Sequence, residues 1–331
     1  MTAALTLLLL LGGGGTGLQG SDEVEKGLVI QDVYESEHGV RPYRLYLPPA
    51  VLGEEDLEAK GEGAAAPPLL VVLHGCTQDA EDVARGTRMD DHGRRRGMAV
   101  LYPEQPPEAH ATRCWNWYEP DHQSAGGGEP AILAGMIREM TETWGLDSER
   151  VYVAGISAGG AMAVTLAATH PGLVSGVASH SGVAYRAAVG LEEATRVLSP
   201  AEAEPGRDLV EAVSGAMGER GRRIPLLVIH GDDDAVVAPR NARWLADQWA
   251  GLAEEFAEGV VEWDMDPSRP QADQASRIEV VRDDGGVWME MWRIRDLGHA
   301  WSGGSDEGTF TQPGGLDASA LIVDFMLGRT P

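Results

Sequence analysis

Lysine is almost absent from this chain. It occurs only at Lys26 and Lys60, so arginine supplies nearly all of the 26 basic side chains. Against 52 Asp and Glu residues, these leave a formal net charge of −26. Nucleic acids and anionic membrane surfaces attract proteins through basic patches, so the composition argues against both partners. Scarce lysine with abundant carboxylates suggests either a high-GC coding bias that favours arginine or an adaptation to salt. Activity measurements from low to molar salt would test the second hypothesis.

Long apolar runs are also missing. No segment offers the roughly 20 apolar residues that span a bilayer, so we expect no membrane span. Residues 2–11 form a shorter apolar run that ends in glycines and resembles the central region of a secretory signal peptide, although no basic residue precedes it. A disordered or mis-started N-terminus is the alternative. We expect residues 1–20 to be a signal peptide, residues 21–331 to form one domain, and the protein to be extracellular or periplasmic.

Cysteine is limited to Cys76 and Cys114. In an exported protein an even number of cysteines favours a disulfide bond. Such a bond would stabilise the fold by about 4 kcal/mol on the chain-entropy estimate. Two separate buried thiols are the alternative.

Residues 151–163 carry the most informative pattern, V-Y-V-A-G-I-S-A-G-G-A-M-A. An apolar run typical of a strand meets a G-x-S-x-G turn, and an alanine-rich helical segment follows. This order is that of a nucleophile elbow, in which a strained turn presents a serine, here Ser157, at the end of a strand. The N–H of Ala158, at the start of the helix, is then placed to donate to an oxyanion. A chance G-x-S-x-G in a glycine-rich chain is the alternative, which the flanking strand and helix weaken.

Apolar runs of strand length alternate with helical stretches, which predicts an α/β fold. Fully apolar runs at 69–73, 98–102 and 226–229 are typical of parallel strands buried on both faces. Residues 184–223 interrupt the alternation with acidic helical sequence and are a candidate cap insertion. Residues 262–276 are polar and are predicted to form an irregular excursion from the sheet. Helices are predicted at 79–96, 131–144, 241–255 and 318–327, and edge strands at 28–33, 43–47, 278–281 and 287–294.

A serine nucleophile needs a base and a group that orients the base. The elbow fold supplies them in the chain order Ser, Asp or Glu, His. Asp234 is the predicted acid because it lies past the turn that follows the strand at 226–229. Asp232 and Asp233 compete with it, and a solvated turn or a metal loop is the alternative reading. No second cluster of oxygen ligands has suitable spacing, so we expect no metal and no cofactor.

His299 is the predicted base, because it follows the last strand and is the one histidine of nine that satisfies this order. An ordinary loop histidine is the alternative. His74 and His230 precede glycines at strand ends, where bracing of the backbone is the simpler role. The others lie on polar loops, on helices or before the acid: His38, His92, His110, His122, His170 and His180.

The second oxyanion donor is expected from the loop after an earlier strand. The N–H of Cys76 fits this place, with simple packing of Cys76 as the alternative. A disulfide to Cys114 would stiffen this donor and bring Trp115 beside the site. We expect Trp115 and Trp301 to contact the substrate, and Trp117 less so; ordinary burial is the alternative for all three.

Several longer motifs occur together: L-H-G-C-T-Q at 73–78, C-W-N-W-Y at 114–118, G-E-P-A at 128–131, G-I-S-A-G-G-A-M-A at 155–163, G-H-A-W-S-G-G at 298–304 and the tail at 308–327. This set resembles the polyhydroxybutyrate depolymerase-type esterases, an α/β-hydrolase group whose relatives include feruloyl and acetylxylan esterases. It implies a mostly parallel sheet with helices on both faces and a small helical insertion. It also implies a triad of Ser157, Asp234 and His299 with oxyanion donors at Cys76 and Ala158.

The expected function is that of a secreted serine esterase that acts on polyhydroxyalkanoate-type esters or oligomers through an acyl-enzyme. A feruloyl or acetylxylan esterase is the alternative, and a non-catalytic polymer-binding protein or a serine peptidase is more remote. No polymer-adsorbing domain or threonine-rich linker accompanies the motifs, which argues against activity on crystalline polymer. The expected partner is the ester substrate, and the sequence leaves the oligomeric state open.

Overall fold

One large sheet forms the centre of the molecule. A computed structural model describes residues 26–52, 65–201, 204–256, 262–265, 272–283 and 286–328, so the expected signal peptide at 1–20 lies outside the described residues. The strands are β1 (Leu28–Ser36), β2 (Gly39–Leu47), β3 (Leu69–Leu73), β4 (Ala99–Pro103), β5 (Val151–Ile156), β6 (Gly176–His180), β7 (Leu226–Gly231), β8 (Glu262–Met265), β9 (Ala275–Asp283), β10 (Gly286–Ile294), β11 (Trp301–Ser302) and β12 (Thr311–Gln312).

The strand order in the described part of this sheet is β1-β2-β4-β3-β5-β6-β7-β10-β9-β8, and β11 and β12 form a separate pair. The six strands from β4 to β10 in this order run parallel. The strands at both edges are antiparallel. Parallel strands end at one edge of the sheet, so the loops after β3, β5, β7 and β10 meet there.

Helices cover both faces of the sheet. They are α1 (Pro49–Leu52), α2 (Ala80–Thr87), α3 (Met89–Arg96), α4 (Gly128–Trp144), α5 (Ala158–Thr169), α6 (Leu191–Leu198), α7 (Leu209–Met217), α8 (Arg240–Phe256) and α9 (Ala318–Met326). None of the helices in the described ranges is both long and apolar enough to cross a bilayer.

Alternate residues of β3 enter two different cores, because successive side chains of a strand point to opposite faces. Leu69, Val71 and Leu73 pack in the core that contains residues of α4, α5 and α8. Leu70 and Val72 pack in the core that contains residues of α2, α3 and α9. The predicted α/β-hydrolase architecture, with helices on both faces of a mostly parallel sheet, is confirmed.

Several elements differ from the sequence prediction. The helix expected at 79–96 is two helices, because Arg88 between them adopts a left-handed backbone with φ 54°. The polar stretch at 262–276 contains β8, which is a strand by virtue of its pairing with β9. Helix α4 begins at Gly128, three residues before the predicted start.

Residues 184–223 contain α6 and α7, with residues 202–203 outside the described ranges. Buried residues of both helices, such as Val197 and Val213, join the core on the α5 side of the sheet. Both helices of the candidate cap insertion are therefore packed on the core.

Candidate active site

The turn between β5 and α5 holds Ser157 at φ 58° and ψ −123°, a conformation that non-glycine residues rarely adopt. Its backbone N–H donates to the carbonyl oxygen of His180 at 2.9 Å. A Cβ at Gly155 would lie 2.4 Å from the carbonyl carbon of Gly159, and one at Gly159 would lie 2.2 Å from the carbonyl oxygen of Leu73. Both positions therefore require glycine, and the close packing that they allow fixes the serine at the strand end.

Asp234 and His299 are brought together from the loops that follow β7 and β10. Nδ1 of His299 donates a hydrogen bond to Oδ2 of Asp234 at 2.8 Å. Oδ1 of Asp234 accepts from the N–H groups of Val236 and Val237 at 3.0 and 2.9 Å. The carboxylate, which is almost completely buried, is thus fixed from both oxygens and orients the imidazole.

The environment of Asp234 favours its charged form. Burial alone would raise the pKa of this carboxyl, but hydrogen bonds from His230 and His299 outweigh burial and hold the pKa well below its usual value. An ionised Asp234 keeps the proton of His299 on Nδ1. Nε2 of His299 is then free to accept a proton.

Ser157 and His299 line one cavity of about 190 Å³. Cys76 and Ala158, the two residues expected to supply oxyanion donors, line it as well. Ala158 is the first residue of α5, and the first N–H groups of a helix have no partner within it. The rest of the wall is mostly apolar, with Trp117, Ile156, Ala161, Val183, Leu198, Val236, Val237 and Phe310.

The loop that carries Cys76 is held by Gln78. Oε1 of Gln78 accepts from the N–H of Gly75 at 2.9 Å, and its Nε2 donates to Oδ2 of Asp82 at 2.9 Å and to the carbonyl oxygen of Thr309 at 3.0 Å. Cys76 is joined by a disulfide to Cys114. The bond that the cysteine count favoured is therefore present, and it ties this loop to the segment at 104–128.

Buried histidines brace the backbone around the site. Nδ1 of His74 donates to the carbonyl oxygen of Gly75 at 2.7 Å, and its Nε2 accepts from the N–H of Gln105 at 3.0 Å. Burial lowers the pKa of His74 to about 4. Nε2 of His230 lies 2.9 Å from the carbonyl oxygen of Val237 and 3.4 Å from Oδ2 of Asp234.

His180 connects Ser157 to the loop that follows His299. Its carbonyl accepts from Ser157, and Nε2 of its ring accepts from the N–H of Ser302 at 3.3 Å. The ring stacks on Trp301 with centroids 5.1 Å apart. Burial, together with repulsion from His230 and His299, lowers the pKa of His180 to about 3. The ring therefore stays neutral, and its Nε2 remains an acceptor.

The expected substrate contacts at Trp115 and Trp301 are wrong. Their side chains are 0% and 1% exposed and do not line the cavity. Trp115 donates from Nε1 to the carbonyl oxygen of His74, and Trp301 donates to Oγ of Ser319. Both rings thus pack beneath the site, and Trp117 is the tryptophan on the wall.

Sequence reasoning also missed Phe310, whose ring meets the His299 imidazole edge-on with centroids 6.2 Å apart. The available signal was an aromatic residue in a polar loop shortly after the base. It missed Glu129 as well, a fully buried carboxylate in the first turn of α4. An acidic residue just after three glycines, at the start of a helical pattern, was the signal there.

Known proteins resemble this chain in sequence and in fold. The profile of the family described as "Esterase PHB depolymerase" matches residues 42–260. Poly(3-hydroxyalkanoate) depolymerase C of Paucimonas lemoignei is 33% identical over 183 residues, which cover 55% of this chain and 44% of that protein. Feruloyl esterase B of Thermothelomyces thermophilus is 32% identical over 196 residues, which cover 56% of this chain and 65% of that protein. The chain thus matches less than two thirds of the length of either relative.

Among solved structures, the acetyl xylan esterase from Aspergillus awamori is 20% identical with a TM-score of 0.64. The superposition covers 82% of this chain and 94% of that one. At this identity the likeness shows a shared α/β-hydrolase fold.

Proposed function

The chain belongs to the esterase PHB depolymerase family, and from this premise we propose that it is a serine carboxylic-ester hydrolase. The observation that carries the proposal is the 2.8 Å hydrogen bond between His299 and Asp234. The imidazole of His299 lines the same cavity as Ser157, the serine in the strained elbow turn. A nucleophile, a base and an ionised acid that orients the base are the requirements of acyl transfer.

In the proposed mechanism, Oγ of Ser157 attacks the ester carbonyl while Nε2 of His299 takes its proton. The N–H groups of Cys76 and Ala158 stabilise the oxyanion of the tetrahedral intermediate. Collapse of the intermediate breaks the bond to the alcohol oxygen, which receives the proton from His299. Water then attacks the acyl-enzyme, with His299 again as base, and releases the acid.

We propose polyhydroxyalkanoate-type esters or oligomers as substrates. An apolar cavity of about 190 Å³ suits a short aliphatic acyl group, and no Asp, Glu, Lys or Arg is among the residues described on its wall. The relative from Paucimonas is named for such a polymer. Feruloyl or acetylxylan esters are the alternative, which the names of other relatives support equally.

Secretion is part of the proposal. The disulfide between Cys76 and Cys114 favours an oxidising compartment, because thiols in the cytosol are kept reduced. The apolar run at 2–11 agrees with export. Cell fractionation with N-terminal sequencing of the mature protein tests this point.

The test of the activity is turnover of p-nitrophenyl butyrate and labelling with a fluorophosphonate probe. Ser157→Ala should lower kcat by about 10⁴-fold or more and abolish labelling. Ser124→Ala, at an exposed serine outside the cavity, is the matched control and should behave as the wild type. Full turnover by Ser157→Ala would refute Ser157 as the nucleophile. A wild type that neither labels nor turns over esters would refute the proposed hydrolase and favour a binding protein.

The substrate class is tested with a 3-hydroxybutyrate dimer, methyl ferulate and an acetylated xylo-oligosaccharide at equal concentration. The proposal expects the highest kcat/KM on the hydroxybutyrate dimer. A higher value on either of the other two would assign the alternative instead.

A further inference from the structure

The catalytic cavity has two unlike parts. Trp117 and Val183 on its wall are 6% and 2% exposed. Val236 and Phe310 also line it, yet they are 55% and 44% exposed. We call Val236 and Phe310 the lip. The apolar lining therefore includes enclosed side chains as well as a lip that faces solvent.

The chemistry matches the acyl group of an ester to the enclosed residues and its alcohol to the lip. This step rests on the proposed hydrolysis. After the first half-reaction the acyl group stays bonded to Ser157, whereas the alcohol must diffuse into solvent before water enters. The alcohol oxygen has to lie within hydrogen-bond reach of His299 to receive its proton. The Phe310 ring lies 6.2 Å from the imidazole, centroid to centroid. On the described wall, Phe310 is therefore the aromatic side chain that lies beside the imidazole which protonates that oxygen.

The lip is held in place before any substrate arrives. Phe310 has a left-handed backbone with φ 50°, and its carbonyl accepts from the N–H of Trp301 at 2.7 Å. The N–H of the preceding residue, Thr309, donates to Oδ1 of Asp82 at 3.0 Å. A large apolar ring fixed in an exposed position costs little further ordering when a ligand covers it.

Polar groups on the lining near the lip are already engaged. The amide of Gln78 bonds to Gly75, Asp82 and Thr309. The hydroxyl of Thr77 donates to the carbonyl oxygen of Cys76 at 2.6 Å. A sugar alcohol would bring several hydroxyl groups to this place, where few partners remain to replace their water.

We propose that Phe310 and Val236 form the subsite for the leaving alcohol, and that Phe310 is a specificity-determining residue for apolar alcohols. The alcohol carbon of a neighbouring hydroxyalkanoate unit, an alkyl alcohol or a phenol belongs to this class. The hydroxyl of a sugar does not.

The experiment keeps the acyl group constant and varies the alcohol. kcat/KM is measured on methyl acetate, butyl acetate, phenyl acetate and a monoacetylated methyl xyloside. Phe310→Ala should lower kcat/KM for the butyl and phenyl esters by about tenfold more than for the methyl ester, mainly through KM, because the lost contact area is that of the alcohol. Val236→Ala should show the same pattern at about threefold.

Two variants serve as controls. Phe310→Leu retains apolar area and should recover most of the activity on butyl acetate. Leu191→Ala removes an apolar side chain that is 64% exposed but lies outside the cavity, and it should leave every ratio as in the wild type.

An equal loss on methyl and butyl acetate in Phe310→Ala would overturn the inference, because Phe310 would then act only on His299. A greater loss on the xyloside would overturn it too, since the ring would be a platform for sugars. Absence of turnover of all four esters by the wild type would instead refute the proposed esterase activity.

Discussion

The buried carboxylate of Glu129 accepts two hydrogen bonds from Asn116, one from the backbone N–H and one from the side-chain amide, both at 2.7 Å. It also accepts from the amide of Gln105 and lies 3.7 Å from the guanidinium of Arg41. Asn116 lies between Trp115 and Trp117 in the chain. Trp115 packs under the loop that carries Cys76, and Trp117 lies on the cavity wall. One side chain of α4 thus fixes the segment that supports both.

Glu129→Ala should destabilise the protein by about 3–5 kcal/mol, because it leaves the Arg41 charge and several donors buried without their partner. At about 2–4 °C per kcal/mol for chains somewhat smaller than this one, the melting temperature should fall by about 10 °C. The measurement is thermal unfolding followed by circular dichroism. Glu142→Ala, at an exposed position on the same helix, should leave the melting temperature unchanged, and an equal result for both variants would refute the role of Glu129.

Asp234→Asn should lower kcat by about 10³–10⁴-fold, because an amide can no longer hold the proton of His299 on Nδ1. The Oδ1 contacts to Val236 and Val237 can persist in this variant, so we expect a folded protein. The measurement is steady-state hydrolysis of p-nitrophenyl butyrate. Asp233→Asn changes the neighbouring exposed carboxylate and should keep the wild-type rate. A larger loss in Asp233→Asn would move the acid to that residue.

Reduction of the disulfide between Cys76 and Cys114 should lower kcat by about ten- to a hundredfold, because the N–H of Cys76 would no longer be held in a fixed direction. Complete removal of an oxyanion donor lowers kcat by about 10²–10³-fold, which sets the upper limit. The bond closes a sequence separation of 38 residues, for which the chain-entropy estimate is about 4 kcal/mol of stability. The assay compares activity and melting with and without reductant. The double variant Cys76→Ser, Cys114→Ser should have the activity and melting temperature of the reduced protein, and reductant should change neither. Full activity in this double variant would separate the bond from catalysis.

Stability should fall as the pH drops below about 6.5. Burial lowers the pKa of His74 to about 4 and of His180 to about 3, whereas an unfolded histidine titrates near 6.5. Between these values the unfolded chain binds protons that the folded chain does not, so acid favours unfolding by about 1.4 kcal/mol per pH unit for each histidine. Urea unfolding at pH 5, 6 and 7 measures the slope.

A smaller slope is expected in His74→Gln, which retains a donor and an acceptor but does not titrate. His38→Gln, at an exposed histidine, should keep the wild-type slope. Equal unfolding free energies at pH 5 and pH 7 in the wild type would contradict the prediction.

The main elements of the site follow from local sequence and chain order. The strand and helix around Ser157 are specified by an apolar run, by glycines where no Cβ fits and by an alanine-rich segment. Asp234 and His299 follow strands of a parallel sheet, and the topology brings their loops to the same edge. These features depend on patterns a few residues long, which can be read without knowledge of tertiary contacts.

The direction of side chains could not be read in this way. Trp115 and Trp117 are two positions apart, yet one ring packs under His74 and the other faces the cavity. Phe310 reaches the site through a loop held by Asp82, over two hundred residues earlier in the chain. β8 is a strand because it pairs with β9. Each of these depends on partners distant in sequence.

Gln78 and Thr309 are 231 positions apart, and their hydrogen bond helps to secure the loop of Cys76. During synthesis at roughly 5–20 residues per second, the ribosome adds Thr309 about 10 to 50 s after Gln78. Once residue 159 has been added, the nascent chain carries its elbow sequence, whereas His299 and Thr309 follow only 140 and 150 residues later. The proposed hydrolysis can therefore begin only after the ribosome has added both His299 and Thr309.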